Sequence, residues 1–203
     1  MNRRILMLVS GTLLLPLGAQ EAATTASGKK VLLYSDGTWK ADGKLVAPGA
    51  VSQAGIPKAA TAKASICKGK ASLFYNPKKW KPKGEETGGR SAFEHADGDA
   101  NAIIITERIE IPTESLETVA LTNAKNAAPD AQITFKESRV VNGAKVEVIA
   151  LKGTIAGIKF QYFGYYVSGA FGTIQAITYT SQNLFEEYKA DFVDFLNGLV
   201  LAP

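Results

Sequence analysis

The chain has 203 residues, a formal net charge of +4, 46% hydrophobic residues, one cysteine and one histidine. A single cysteine excludes an internal disulfide, so the fold must hold by its core. The charge is too small to argue for nucleic acid, and one histidine leaves zinc to be held by acids and Cys67, with no ligand spacing to support it.

The N-terminus reads MNRRILMLVSGTLLLPLGA. Arg3 and Arg4 form a positive start, Ile5 to Leu15 an apolar run, and Pro16, Gly18 and Ala19 a small-residue end. This is the pattern of a secretory signal peptide over residues 1–19, with cleavage expected after Ala19. The run is short of the roughly 20 residues that span a bilayer. No cysteine stands at the cleavage region to take a lipid, and no later segment is apolar enough to cross. The expected product is a periplasmic or secreted chain of roughly 184 residues, enough for one domain and a small appendage. It has no transmembrane span once the signal is removed. Cys67 is expected to be buried, the alternative in an oxidising compartment being a cross-link between two chains.

Residues 20–28, QEAATTASG, are small and polar and read as disordered. The stretch VLLYSDGTWKADGKLV follows, within a module over residues 29–46. Asp36-Gly37 and Asp42-Gly43 each suit a two-residue type I′ turn. Two such turns predict a small β-meander with strands Val31–Ser35, Thr38–Ala41 and Lys44–Val46. Tyr34 then faces Trp39, and Trp39 faces Val46, with Leu32 and Ala41 on the same side. So short a meander must lean on something. Residues 47–65 are rich in Ala, Gly, Pro and Ser without a period, which is linker composition.

The main domain is expected over residues 66–203. Short strands are predicted in KASLFYNP, GRSAFEHADG and NAIIITERIEI, the last two joined at Asp97-Gly98-Asp99. TESLETVALTNAKNAAPD predicts a helix, capped by Thr113 and closed by Pro129. Its face of Leu116, Ala120, Ala124 and Ala127 is mostly small, so it should pack shallowly. The period then switches to two. QITFKESRVV and AKVEVIALKG flank Asn142-Gly143, a strong hairpin signal. GIKFQYFGYYVS and AFGTIQAITYTS bend about Ser168-Gly169. NLFEEYKADFVDFLNGLVL closes the chain as an amphipathic helix, with Leu184, Tyr188, Phe192, Phe195, Leu196 and Leu199 at helical spacing and Asn183 with Glu186 at its start. The class is α+β, an antiparallel sheet flanked by helices.

With FYNPKKW on the first strand, VNG in the hairpin, FQYFGYYV in the meander and FLNGLVL at the end, this domain resembles the PsbP/Mog-type superfamily. That group holds the PsbP accessory proteins of the oxygen-evolving complex, the Mog nuclear-import factors and bacterial DcrB-like envelope proteins. The resemblance spans about residues 66–201 and rests on element order and turn placement. It implies an α/β/α sandwich and an accessory or binding role, generally without enzymatic activity. It supplies no site residues. The envelope branch suits the signal peptide best.

No catalytic set emerges. FEHADGDAN alternates oxygen ligands, but an EF-hand counted from Asp97 would need Gly at 102 and Glu at 108, where Ala102 and Arg108 stand. No Gly-x-Ser-x-Gly elbow presents a serine. A carboxylate pair for a small envelope hydrolase would be spatial, and nothing singles one out. GYYVSGAFG offers Tyr165, Tyr166 and Phe171 either as packing residues or as an aromatic ligand face. NPKKWKPKGEE sets Trp80 among lysines, either pinned into the core edge or docked on an anionic surface. Tyr34, Trp39, Trp80, Tyr165 and Tyr166 are therefore the candidate contacts. The expected function is an exported, non-enzymatic accessory or binding protein of the envelope. It needs no cofactor or metal, and its partner is an envelope protein or a small apolar ligand.

Overall fold

A computed structural model describes the backbone of residues 20–24, 30–34, 39–41, 44–46, 52–84 and 87–202. The chain divides into two compact units, Met1–Ala50 and Val51–Pro203. The signal-peptide reading lies outside the described residues, as do the side chains of Tyr34 and Trp39.

In the first unit β1 (Gln20–Thr24), β2 (Lys30–Tyr34), β3 (Trp39–Ala41) and β4 (Lys44–Val46) follow one another across one sheet. Gln20–Thr24 is thus a strand, paired antiparallel to β2, where the composition suggested disorder. Small polar residues give no alternating pattern, but a strand can be held by ladder bonds from its neighbour. The β3–β4 register places Trp39 opposite Val46, as the Asp42-Gly43 turn predicts. Between β2 and β3 the register differs. Leu33, not Tyr34, stands opposite Trp39, and Val31, not Leu32, pairs with Ala41. This register is one residue away from the one expected, and a slip of one residue exchanges the two faces of a strand.

The second unit begins inside the expected linker. β5 (Ser52–Ala54) and β6 (Ala62–Ile66) are both strands there. β7 (Ala71–Tyr75), β8 (Trp80–Pro82), β9 (Arg90–His95) and β10 (Ala100–Glu107) lead to helix α1 (Leu116–Ala127). Four long strands follow, β11 (Gln132–Val141), β12 (Ala144–Ile155), β13 (Ile158–Gly169) and β14 (Gly172–Ser181). Helix α2 (Phe185–Leu196) and β15 (Leu199–Leu201) close the chain. The large sheet runs β5-β11-β12-β13-β14-β10-β9-β8, and a small one runs β15-β7-β6. The large sheet is mixed, because β5 pairs in parallel with β11. The α+β class stands, with strands dominating and two α-helices among the described residues.

Alternation along β12 sorts the core. Val146, Val148 and Ala150 join one cluster with Phe192, Phe195 and Leu73, from α2 and the small sheet. Ile149 and Leu151, pointing the other way, join Leu116 and Ala120 of α1. The face on the α2 side is thus shared between a helix and three short strands, rather than covered by helices alone. The Asn142-Gly143 hairpin forms as expected, with φ of 48° and 85° and Val141 opposite Ala144. The β13–β14 bend comes two residues later than Ser168-Gly169 suggested, since Gly169 pairs with Gly172.

Both helix starts differ from expectation. A 3-10 turn at Thr113–Ser115 precedes α1, and neither Ser115 nor Leu184, the residues at the helix starts, makes a side-chain cap bond. The closing helix ends at Leu196, and Leu199 lies in β15 opposite Leu73. Gly198 makes that turn possible. Its carbonyl accepts from Phe74 N at 2.8 Å, and a Cβ there would overlap the Phe74 carbonyl.

Candidate functional site: the cleft beside helix α1

Helix α1 presents Leu116 and Ala120 to the sheet, followed by Ala124 and Ala127 in its last turns. Alanines reach only a short way, so the C-terminal half of the helix does not fill the space above β13 and β14. A cleft of about 560 Å³ remains there. Leu151, Tyr162, Tyr166, Ile105 and Ile177 form its sheet wall, and Ala120 and Ala124 its helix wall. Arg90, Thr106, Glu107, Asn123 and Asn126 are polar residues around it. This size, with apolar and aromatic residues on the sheet wall and polar groups around them, is within the range of small-molecule sites.

The tyrosines act as neutral groups. Burial pushes the Tyr166 hydroxyl far above its ordinary value, and burial also raises Tyr162 and Tyr179. Tyr162 and Tyr179 pair across β13 and β14 with ring centroids 5.7 Å apart, extending the aromatic surface beyond the cleft. Beneath Asn123, whose Nδ2 donates to Gln175 Oε1 at 3.3 Å, the buried Gln175 Nε2 has no hydrogen-bond partner. Glu107 is the one carboxylate lining this cleft among the described residues. Paired-carboxylate hydrolysis needs two acids, roughly 5–10 Å apart.

Of the sequence candidates, Tyr166 lines the cleft. Tyr165 points to the opposite face, is fully buried, and donates its hydroxyl to Asn197 Oδ1 at 2.9 Å while accepting from Arg139. Adjacent residues of a strand cannot share a face, so the aromatic pair divides. Phe171 lies away from the cleft, packed on the α2-side core. Trp80 is 2% exposed and sits among His95, Phe192 and Phe195, which leaves it no surface to offer a partner. Cys67 is buried, its thiol donating to Phe171 O at 3.4 Å.

His95, read from sequence as part of a polar turn, is buried at the join of that turn with α2. Its Nδ1 is 2.8 Å from Asp97 Oδ1 and its Nε2 is 3.2 Å from Asp191 Oδ2. Tyr188 donates to Asp97 Oδ2 at 2.7 Å, and Lys79 pairs with Asp191. Both ring nitrogens are engaged, so the ring has none free for a metal. Among the described residues no group of three His, Cys, Asp or Glu side chains is arranged to hold a metal ion. Sequence reasoning missed Asp191 and Tyr188 because they lie about ninety positions away in the chain. It missed Arg90 and Asn123 because nothing local marks them.

No family model matches the chain, and no curated protein matches it. Solved structures do. Cyanobacterial PsbP (CyanoP) from Synechocystis sp. PCC 6803 is similar with a TM-score of 0.55 at 12% identity, over 72% of this chain and 95% of that one. The fold is PsbP-like. Two looser likenesses are PA94, a Pseudomonas aeruginosa protein of unknown function, and LpqN of Mycobacterium tuberculosis, involved in cell envelope biogenesis. PA94 gives a TM-score of 0.45 at 9% identity over 82% of this chain and 96% of its own. LpqN gives 0.43 at 11% identity over 70% and 91%. At these identities the likeness speaks to the fold alone. Among the described residues no helix is long and apolar enough to cross a membrane.

Proposed function

We propose that this is an exported, non-enzymatic accessory or binding protein of the cell envelope, and that it holds a small, largely apolar ligand in the cleft beside α1. The cleft itself carries the reading: an apolar sheet wall with two tyrosines kept neutral by burial, polar groups around it, and a single lining carboxylate among the described residues. Such a site binds and orients, and among the described residues it offers one acid rather than the two that paired-carboxylate hydrolysis needs. The N-terminal signal pattern supports export, and the PsbP-like fold suits an accessory role.

The test expresses the full chain in a bacterial host and recovers the periplasmic extract. The expected product begins just after Ala19, and denaturing the purified protein releases a small molecule identifiable by mass spectrometry. Ala124→Phe, which fills the cleft from the helix side, should lose that molecule while keeping the far-ultraviolet circular dichroism of the parent. A chain retained in the cytoplasm with its Met1 would defeat the export reading. Identical extracts from parent and variant would defeat the ligand reading.

A further inference from the structure

Gly88 stands at the rim of the cleft. A second hollow of about 790 Å³ lies on the α2 side of the sheet, where Cys67 and Phe171 line it, and it shares Gly88, Thr106 and Glu107 with the cleft as lining. The second hollow differs in chemistry. Lys68, Lys70 and Arg108 line it, brought from the turn between β6 and β7 and from the segment after β10. All three are exposed, and none has an ion-pair partner among the described residues. Lysines elsewhere in the unit do pair, as Lys83 does with Glu94 and Lys145 with Glu147. Like charges gathered in one concavity repel one another and raise the local potential for an anion.

The backbone that carries Lys68 is held in an uncommon state. Cys67 and Lys68 have φ of 52° and 54°, the left-handed region, which L-residues adopt only at a cost. The buried Cys67 and its bond to Phe171 O hold the turn there. Strained backbone persists where the surroundings over-determine it, and it concentrates at ligand sites.

We propose that the ligand is an amphipathic anion. Its apolar part, of ring size, lies between α1 and Tyr162 and Tyr166, and its anionic group crosses the Gly88 junction to sit among Lys68, Lys70 and Arg108. The inference rests on the ligand-binding reading of the cleft and adds the charge and orientation of what it binds. Among the described residues that line the hollow, Glu107 is one carboxylate against three cations, so their balance favours negative charge.

Two fluorescent probes that share their rings test this. Anilinonaphthalenesulfonate carries an anion, and phenylnaphthylamine does not. Each is titrated into the mature protein, into K68N/K70Q/R108Q and into Ala124→Phe, with circular dichroism confirming that each variant is folded. Asparagine is chosen at position 68 because it tolerates the left-handed region. The expected result is saturable binding of both probes to the parent. The triple variant should bind the sulfonate at least about tenfold more weakly and the neutral probe within about twofold. Ala124→Phe should lose both. Raising salt from about 0.01 M to about 1 M, which shortens the screening length from about 30 Å to about 3 Å, should weaken only the sulfonate. If the triple variant binds the sulfonate as the parent does, the anionic hollow is not used and this inference falls, while the cleft reading survives on the neutral probe. If neither probe binds the parent, or Ala124→Phe still binds both, the inference and the cleft reading fall together.

Discussion

Trp80 decides how the lysine-rich stretch NPKKWKPK is to be understood, and truncating it gives the sharpest stability prediction. The indole is 2% exposed. Its ring lies 4.6 Å from Phe195 and 5.1 Å from His95, measured between centroids, with Phe192 at 6.2 Å. Truncating a buried aromatic to alanine costs about 3–5 kcal/mol through lost transfer energy and the cavity left behind. Favourable ring pairs add about 0.5–1.5 kcal/mol each. Partners on β9 and α2 cannot both collapse into the gap, so Trp80→Ala should lie at the upper end, about 4–5 kcal/mol. For a unit of this size that lowers the thermal midpoint by roughly 10–20 °C. Urea unfolding measures it directly, with the midpoint shifted and the slope unchanged. Trp80→Phe should recover most of the loss, and Lys78→Ala or Lys81→Ala should stay within about 0.5 kcal/mol of the parent. A Trp80→Ala cost below about 1 kcal/mol would refute the placement of this indole in the core and return it to the surface as a docking residue.

Two further expectations concern the supports around that core. Asn142 holds the β11–β12 turn at φ 48°, and its Nδ2 donates to both Asn197 O and Leu199 O at 2.8 Å. Asn142→Ala should cost about 2–3 kcal/mol in urea unfolding, whereas a surface-turn residue would cost a few tenths. Burial pushes the Asp97 carboxyl up, but bonds from Tyr188, His95 and the Asp99 N–H outweigh it and hold it below its ordinary value. A lowered folded value means a stabilisation present above about pH 4 and lost as pH falls through the folded value. Asp97→Asn should therefore reduce the loss of stability between neutral and acid pH, read from urea midpoints at each pH. An unchanged acid profile would contradict the assignment.

Much of the second unit follows from local pattern. The alternation of β11 to β14, the Asn142-Gly143 turn and the stripe Tyr188, Phe192, Phe195 on α2 are set by side-chain period and turn chemistry, which neighbouring residues carry themselves. The alanines of α1 announced a shallowly packed helix. That property is local too, but only the sheet beneath could show that it leaves a cleft over Tyr162 and Tyr166. The strands β1, β5, β6, β8 and β15 left little trace, because such short segments gain from ladder bonds to distant partners and need no pattern of their own. A ladder bond depends on where the partner strand lies, and no local composition encodes that.

The site divides in the same way. The sequence by itself determined the residue types available: one cysteine, one histidine, no catalytic signature, and tyrosines crowded on one strand. Only the tertiary structure decided that Tyr165 and Tyr166 look to opposite sides, that Trp80 is interior, and that His95 meets Asp191. It alone brought Lys68, Lys70 and Arg108 around one hollow. Burial and electrostatic potential are properties of groups that meet in space, and a chain position acquires them only once the sheet has closed around it.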